Sequence, residues 1–205
     1  MKLNENLDTY NIVSSFSQNP MYDFGIYAEG YRKAAKSLSD KLRTQNSYAD
    51  YEGYPIVFLY RHAFELNLKS IIYSGLRLLS LKNREAINDG KFYNNHYLDK
   101  LAKVSADILT TLFRNDFALE NVIKNIVSIA NEYSELDYNS FSYRYPIDVT
   151  GNYSTKQGHQ VINLTSLTNC MEDLLDSIEA INFGLDIEME QEIQIFEILS
   201  NFSDN

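Results

Sequence analysis

Residues 54–79, YPIVFLYRHAFELNLKSIIYSGLRLL, decide how the chain folds. From Pro55 onward almost every position is apolar, and the exceptions Arg61, His62, Glu65 and Lys69 are not scattered. Arg61, Glu65 and Lys69 follow at i, i+4 and i+8, and His62 stands three before Glu65, so on a helix all four project from one side. The stretch therefore predicts a central helix buried nearly all round, with one charged seam. Gly53 and Pro55 mark its start, since proline in a first turn forfeits an N–H that has no partner there anyway. Its end is expected near Leu81.

Upstream, residues 1–20 are rich in Asn and Ser and predict a loose or partner-docked arm closed by Pro20. Between Met21 and Arg43, Phe24, Ile26, Tyr27, Tyr31, Ala34, Ala35, Leu38 and Leu42 recur at helical spacing, which predicts an amphipathic first helix with a basic exterior. Downstream of the central helix, KNREAINDGKFYNN reads as a polar connection. A third helix starts at or just after His96, with Leu98, Leu101, Val104, Ile108 and Leu112 on one face. A fourth, Phe117 to Leu136, follows across the short Arg114-Asn115-Asp116 link and is expected antiparallel to the third.

The texture changes at 141–163, where alternating aromatic and β-branched residues surround Thr150-Gly151-Asn152. This predicts a small β-hairpin, its first arm kept short by Pro146. Helical spacing returns from Thr165 through Leu175 and Ile181, is expected to break at Gly184, and resumes in a last acidic segment over 184–205. The expected fold is all-α: an up-and-down bundle of five to six helices spanning 21–183, with one hairpin insertion and an acidic C-terminal helix.

Composition narrows the function classes. The 205 residues carry a net charge of -10, yet all 18 Lys and Arg lie at or before Lys156, while ten of the 28 acidic residues lie beyond it. A broad nucleic-acid surface would be basic, so any RNA or DNA site is expected to be local. No basic-then-apolar leader is evident, and no apolar run reaches the roughly 18 residues of a membrane helix, so a cytoplasmic protein with no membrane partner is expected. Cys170 is the single cysteine, which excludes internal disulfides and any cysteine-based metal cluster.

Two readings of the seam stand. Glu65 and Lys69 form a favourable i, i+4 pair to which Arg61 adds, so the seam is an ordinary solvated edge; or Arg61 and Lys69 hold a phosphate or carboxylate while Glu65 orients His62 as an acid/base. His62 and Glu65 also make a His-x-x-Glu step that His96 might complete, but no second copy of such a step exists, as a di-iron bundle requires. No metal or cofactor is expected. Arg144, between Tyr143 and Tyr145, either stacks on its neighbours and pairs with Asp148, or is delivered to the seam by the rigid Tyr145-Pro146 step.

At FLYRHAFELNLKSII (58–72), HYLDKLAKV (96–104) and FSYRYPIDVTGN (141–152) the chain resembles the HEPN superfamily of prokaryotic helical proteins. The resemblance spans roughly residues 25–180 and rests on an Arg-His-x-x-Glu-Leu-x-Leu-Lys core followed by a His-x-Leu-x-x-Leu step. It implies a helical bundle, a homo-oligomer (usually a dimer), a place in a toxin-antitoxin or anti-phage system with a partner encoded nearby, and metal-independent ribonuclease activity in many members. The chain departs from the ribonuclease pattern of Arg, four to six residues and His: none of His62, His96 and His159 has an Arg at that distance, and only Lys91 stands so before His96. The resemblance therefore points either to a non-catalytic branch or to a site built from His62, Glu65, His96 and Arg144 as catalytic residues, with Arg61, Lys69, Tyr145 and Asp148 binding RNA or a nucleotide. The competing function is a non-catalytic interaction module whose acidic C-terminal region docks a basic partner.

Overall fold

A computed structural model describes residues 16–45, 50–83, 91–137, 140, 142–148, 150–154 and 161–203. Five α-helices account for most of them: α1 (Asp23–Thr44), α2 (Gly53–Asn83), α3 (Leu98–Leu112), α4 (Phe117–Leu136) and α5 (Leu164–Ser203). No strand occurs among the described residues, so the fold is all-α. Among the described residues no helix is long and apolar enough to cross a membrane. The expected arm falls mostly outside the described residues, but its last part is pinned: Asn19 donates from Nδ2 to the Tyr73 hydroxyl at 2.6 Å, and Tyr22 meets the Tyr73 ring edge-on.

The centre is α2, because its residues are apolar on every side but one. Ile56, Tyr60, Phe64, Leu68, Ile71, Ile72 and Leu78 are wholly buried, and α1, α3 and α5 all pack on it. Direction follows from the pairs that touch. Tyr31 meets His62 and Tyr22 meets Tyr73, so α1 runs against α2. Gly53 lies beside Leu164 and Lys82 pairs with Glu188, so α5 runs with α2 from a level start. The clasp of Arg32 on Glu172 at 2.9 Å and the Tyr60 hydroxyl on the other Glu172 oxygen at 2.9 Å tie α1, α2 and α5 together.

The pairing of α2 with α3 departs from the expected up-and-down order. His96 meets Glu65, Ser105 meets Leu68 and Ile108 meets Gly75, so the contacts advance in the same sense along both helices. Between Asn83 and α3, the described residues from Lys91 onward stand at the level of Glu65, where His96 meets it. Close approach at the far end requires Gly75, where a Cβ would run into the Ile108 side chain. The fourth helix has the expected bounds, and Asp116 caps it by accepting from the Leu119 N–H at 3.0 Å.

Two expectations fail here. Among the described residues of 141–163 no hairpin strands form: one antiparallel bridge is present, Ile147 to Tyr153, around a turn in which Gly151 takes φ 83°. Pro146 offers no N–H to extend the ladder, and the flanking Ile147 and Tyr153 are exposed, so a longer ladder would have no core to cover. Residues 155–160, half of its second arm, lie outside the described residues. Nor does the chain break at Gly184, for α5 is continuous from Leu164 to Ser203. A mid-helix glycine costs about 1 kcal/mol, which burial of its neighbours Leu185 and Met189 offsets.

Candidate functional site

The seam is not an edge turned to water. Arg61, Glu65 and Lys69 retain 0, 2 and 4 % of their side-chain exposure, whereas His96, which closes the cluster, retains 60 %. Helical spacing stacks the three α2 residues one turn apart, and the returning chain before α3 covers them. Glu65 is the hub. Its Oε2 accepts from Arg61 Nη1 at 3.0 Å, and its Oε1 lies 2.8 Å from both Lys69 Nζ and His96 Nδ1. The cations are used a second time on the connection: Arg61 Nη2 donates to the His96 carbonyl at 2.9 Å, and Lys69 Nζ to the Tyr93 carbonyl at 3.1 Å. His96 is thereby fixed through both its ring and its backbone.

A fourth charge completes the cluster. Asp137, just past the end of α4 and wholly buried, brings Oδ2 within 3.4 Å of Arg61 Nε, although neither atom makes a hydrogen bond. Its Oδ1 accepts from the Ser142 N–H at 3.0 Å, which anchors the 142–154 segment to the cluster. Two buried cations thus face two buried carboxylates, the arrangement that makes ionised groups tolerable inside a fold. Burial by itself would raise the Glu65 carboxyl, but Lys69, the His96 hydrogen bond and Arg61 outweigh it and hold the group below the ordinary carboxylate value.

The sequence-predicted residues divide accordingly. Arg61 and Lys69 grip a carboxylate of their own chain and present no face to solvent. Glu65 holds His96, and both of its oxygens are taken, so His62 is not the histidine that it orients. His62 sits half-buried, stacked on Phe58 with centroids 5.6 Å apart and met edge-on by Tyr31 at 4.4 Å. Burial, then Lys69, Arg61 and Arg144, lower its pKa against the opposing pull of Glu65, which keeps the ring neutral near pH 7. Arg144 reaches the same group, its guanidinium carbon 5.4 Å from the Phe58 centroid and 5.5 Å from that of Tyr145. Phe58 is thus common to both contacts, and the Arg144 charge is among those felt by His62. Arg144 Nε donates to the Ser140 carbonyl at 2.6 Å, and Asp148 is engaged elsewhere, accepting from the Thr150 and Asn152 N–H groups of its own turn.

Sequence reasoning missed Asp137 and the two carbonyls. For Asp137 a signal existed: an acid at a helix C-terminus opposes the helix dipole and needs a compensating cation. The carbonyls of Tyr93 and His96 carry no side-chain signature at all. Among the described residues no three His, Cys, Asp or Glu side chains are grouped to hold a metal ion.

What the arrangement can do chemically is set by His96. A buried carboxylate beside Nδ1 favours the tautomer that donates from Nδ1 and leaves Nε2 as an acceptor, on a side chain that is mostly exposed. Comparison with known proteins finds no matching family model, no matching curated protein and no matching solved structure. The functional reading rests on this geometry and on the sequence motifs.

Proposed function

We propose that the protein is a HEPN-like member of a bacterial toxin-antitoxin or anti-phage system that acts on RNA or a nucleotide, with His96 as the acid/base and Glu65 as the residue that positions it. The carrying observation is the 2.8 Å contact of a mostly exposed imidazole with a buried, ion-paired carboxylate. A carboxylate in this position fixes the orientation and the tautomer of the ring.

For a ribose 2′-hydroxyl the step is metal-independent transesterification. Nε2 of His96 takes the hydroxyl proton, O2′ bonds to the adjacent phosphorus, the P–O5′ bond breaks, and the departing oxygen is protonated by solvent, leaving a 2′,3′-cyclic phosphate and a 5′-hydroxyl. Arg144 supplies the cation for the crowded phosphorane, and the Phe58, His62 and Tyr145 rings supply faces on which a base stacks. Arg61 and Lys69 contribute indirectly, by holding Glu65. A dimer belongs to the same reading.

The test is incubation of the purified protein with total RNA and with tRNA in the presence of a chelator, followed by analysis of the new ends. Cyclic phosphate and 5′-hydroxyl ends that vanish in the His96→Ala protein are expected. Intact RNA at every protein concentration, or cleavage that His96→Ala leaves unchanged, would contradict the assignment.

A further inference from the structure

Helices α1, α2 and α5 leave a space where they meet. The side chains facing each other across α1 and α2 are short there: Gly25 stands opposite Ser70, close enough that a Cβ would lie 3.6 Å from the Ser70 Oγ, and Ser74 follows one turn on. With α5 as the third side, the result is a groove of about 420 Å³. That is the size of a small-molecule site. Its walls are of two kinds. Leu175 and the half-exposed Ile26 offer apolar surface. Along α5, Glu179, Asn182 and Asp186 follow three and then four residues apart on the face that lines the groove. Helical rise separates them by about 4.5 Å and then about 6 Å.

The charge in this groove is out of balance. Among the described residues Arg32 is the one cation that lines it, and its guanidinium already serves Glu172 at 2.9 Å and Asp176, reaching Glu179 only at 3.6 Å. Glu29 on the α1 wall is paired with the exposed Lys33 of its own helix. Asp186 has no ion pair among the described residues, and burial together with Glu190, one turn on, raises its pKa. Between the two carboxylates of α5, Asn182 Oδ1 is buried without a hydrogen-bond partner, while its Nδ2 reaches Asn67 Oδ1 at 3.5 Å, the limit of a hydrogen bond. A buried acceptor left unsatisfied is costly, and an N–H donor in the groove would remove that cost. A metal ion does not suit these groups, since no three His, Cys, Asp or Glu side chains of the described residues converge. Positive charges spaced by methylenes do. We infer that the groove binds a linear aliphatic triamine extended along α5, its terminal ammonium groups at Glu179 and Asp186, its central N–H at Asn182, and its three- and four-carbon spacers against Ile26 and Leu175. None of these residues belongs to the Glu65 cluster, so the site is independent of whether His96 acts on RNA.

Spermidine is the probe, titrated by calorimetry into the full-length protein without nucleic acid, beside putrescine, which spans only part of the α5 stripe, and magnesium chloride. Spermidine is expected to bind saturably, at one site per chain and at least tenfold more tightly than putrescine, and magnesium at equal charge concentration is expected not to displace it. Asp186→Asn breaks no ion pair among the described residues, so it should fold as the parent and weaken spermidine binding at least tenfold. Asn182→Leu leaves the charge unchanged and should narrow the preference for spermidine over putrescine. Asp107→Asn, which removes the same charge from an exposed position on α3, should alter nothing. Binding that does not saturate, that magnesium displaces, or that Asp107→Asn weakens as much as Asp186→Asn would reduce the effect to bulk charge and overturn the proposal. So would spermidine affinity that Asp186→Asn leaves unmoved.

Discussion

His96 Nδ1 and Glu65 Oε1 are 2.8 Å apart across a boundary, since the imidazole is 60 % exposed and the carboxylate 2 %. A contact of this kind transmits the order of the interior to a group in solvent. The entropy of fixing the ring is met in folding, not at the moment a ligand arrives.

Such order depends on the buried charges remaining balanced. Replacing Glu65 with Ala leaves Arg61 and Lys69 buried and largely uncompensated, and removing one member of a buried ion pair costs about 3–5 kcal/mol. Thermal and denaturant unfolding of Glu65→Ala should show a loss of that size. A loss under about 0.5 kcal/mol, as expected of a solvated edge, would contradict the burial described here.

The pH dependence has a definite sign. The folded pKa of His62 lies below 6.5 and that of Glu65 below 4.5, so in both cases the unfolded chain binds protons first. The stability due to His62 is complete above pH 6.5 and drains away as pH falls through its lowered folded value. The contribution of Glu65 follows the same course below pH 4.5. Denaturant midpoints measured from pH 8 to pH 4 should therefore fall, and His62→Phe, which keeps the ring stack with Phe58 and Tyr31, should remove the earlier decline. A midpoint that rises on acidification through pH 6 would be inconsistent with a half-buried neutral imidazole.

Gly75 sets how closely α2 and α3 approach. Gly75→Ala gains helix propensity of about 1 kcal/mol but drives a methyl group into Ile108, and overpacking of a filled core costs about 1–3 kcal/mol. The substitution should be neutral to destabilising by about 2 kcal/mol, and Ile108→Val in the same chain should recover part of any loss. Stabilisation by the single change would mean that the helices are not in contact there.

Much of this architecture was legible in the chain. The central position of α2 followed from apolar residues on every face, and α4 from a clean periodic stripe with Asp116 before it, so both needed only local information. The seam was legible as a line of charges, but not its burial, because the cover comes from backbone carbonyls of Tyr93 and His96 and from Asp137, far along the chain. Register with α3 was likewise hidden, for a polar connection says nothing of whether the chain turns or returns. The hairpin and the break at Gly184 were misread for opposite reasons. Around Gly151 a local turn preference lacked a surface on which to extend, and at Gly184 a local helix breaker was overridden by the packing of Leu185 and Met189.

The most direct test of the account is single-turnover cleavage of tRNA, with chelator present, by the wild-type protein and by His96→Ala. Because the His96 ring is mostly exposed, its removal should leave unfolding nearly unchanged, while loss of the acid/base should slow cleavage about 100-fold or more. A fully folded His96→Ala protein that cleaves at the wild-type rate would contradict the central claim.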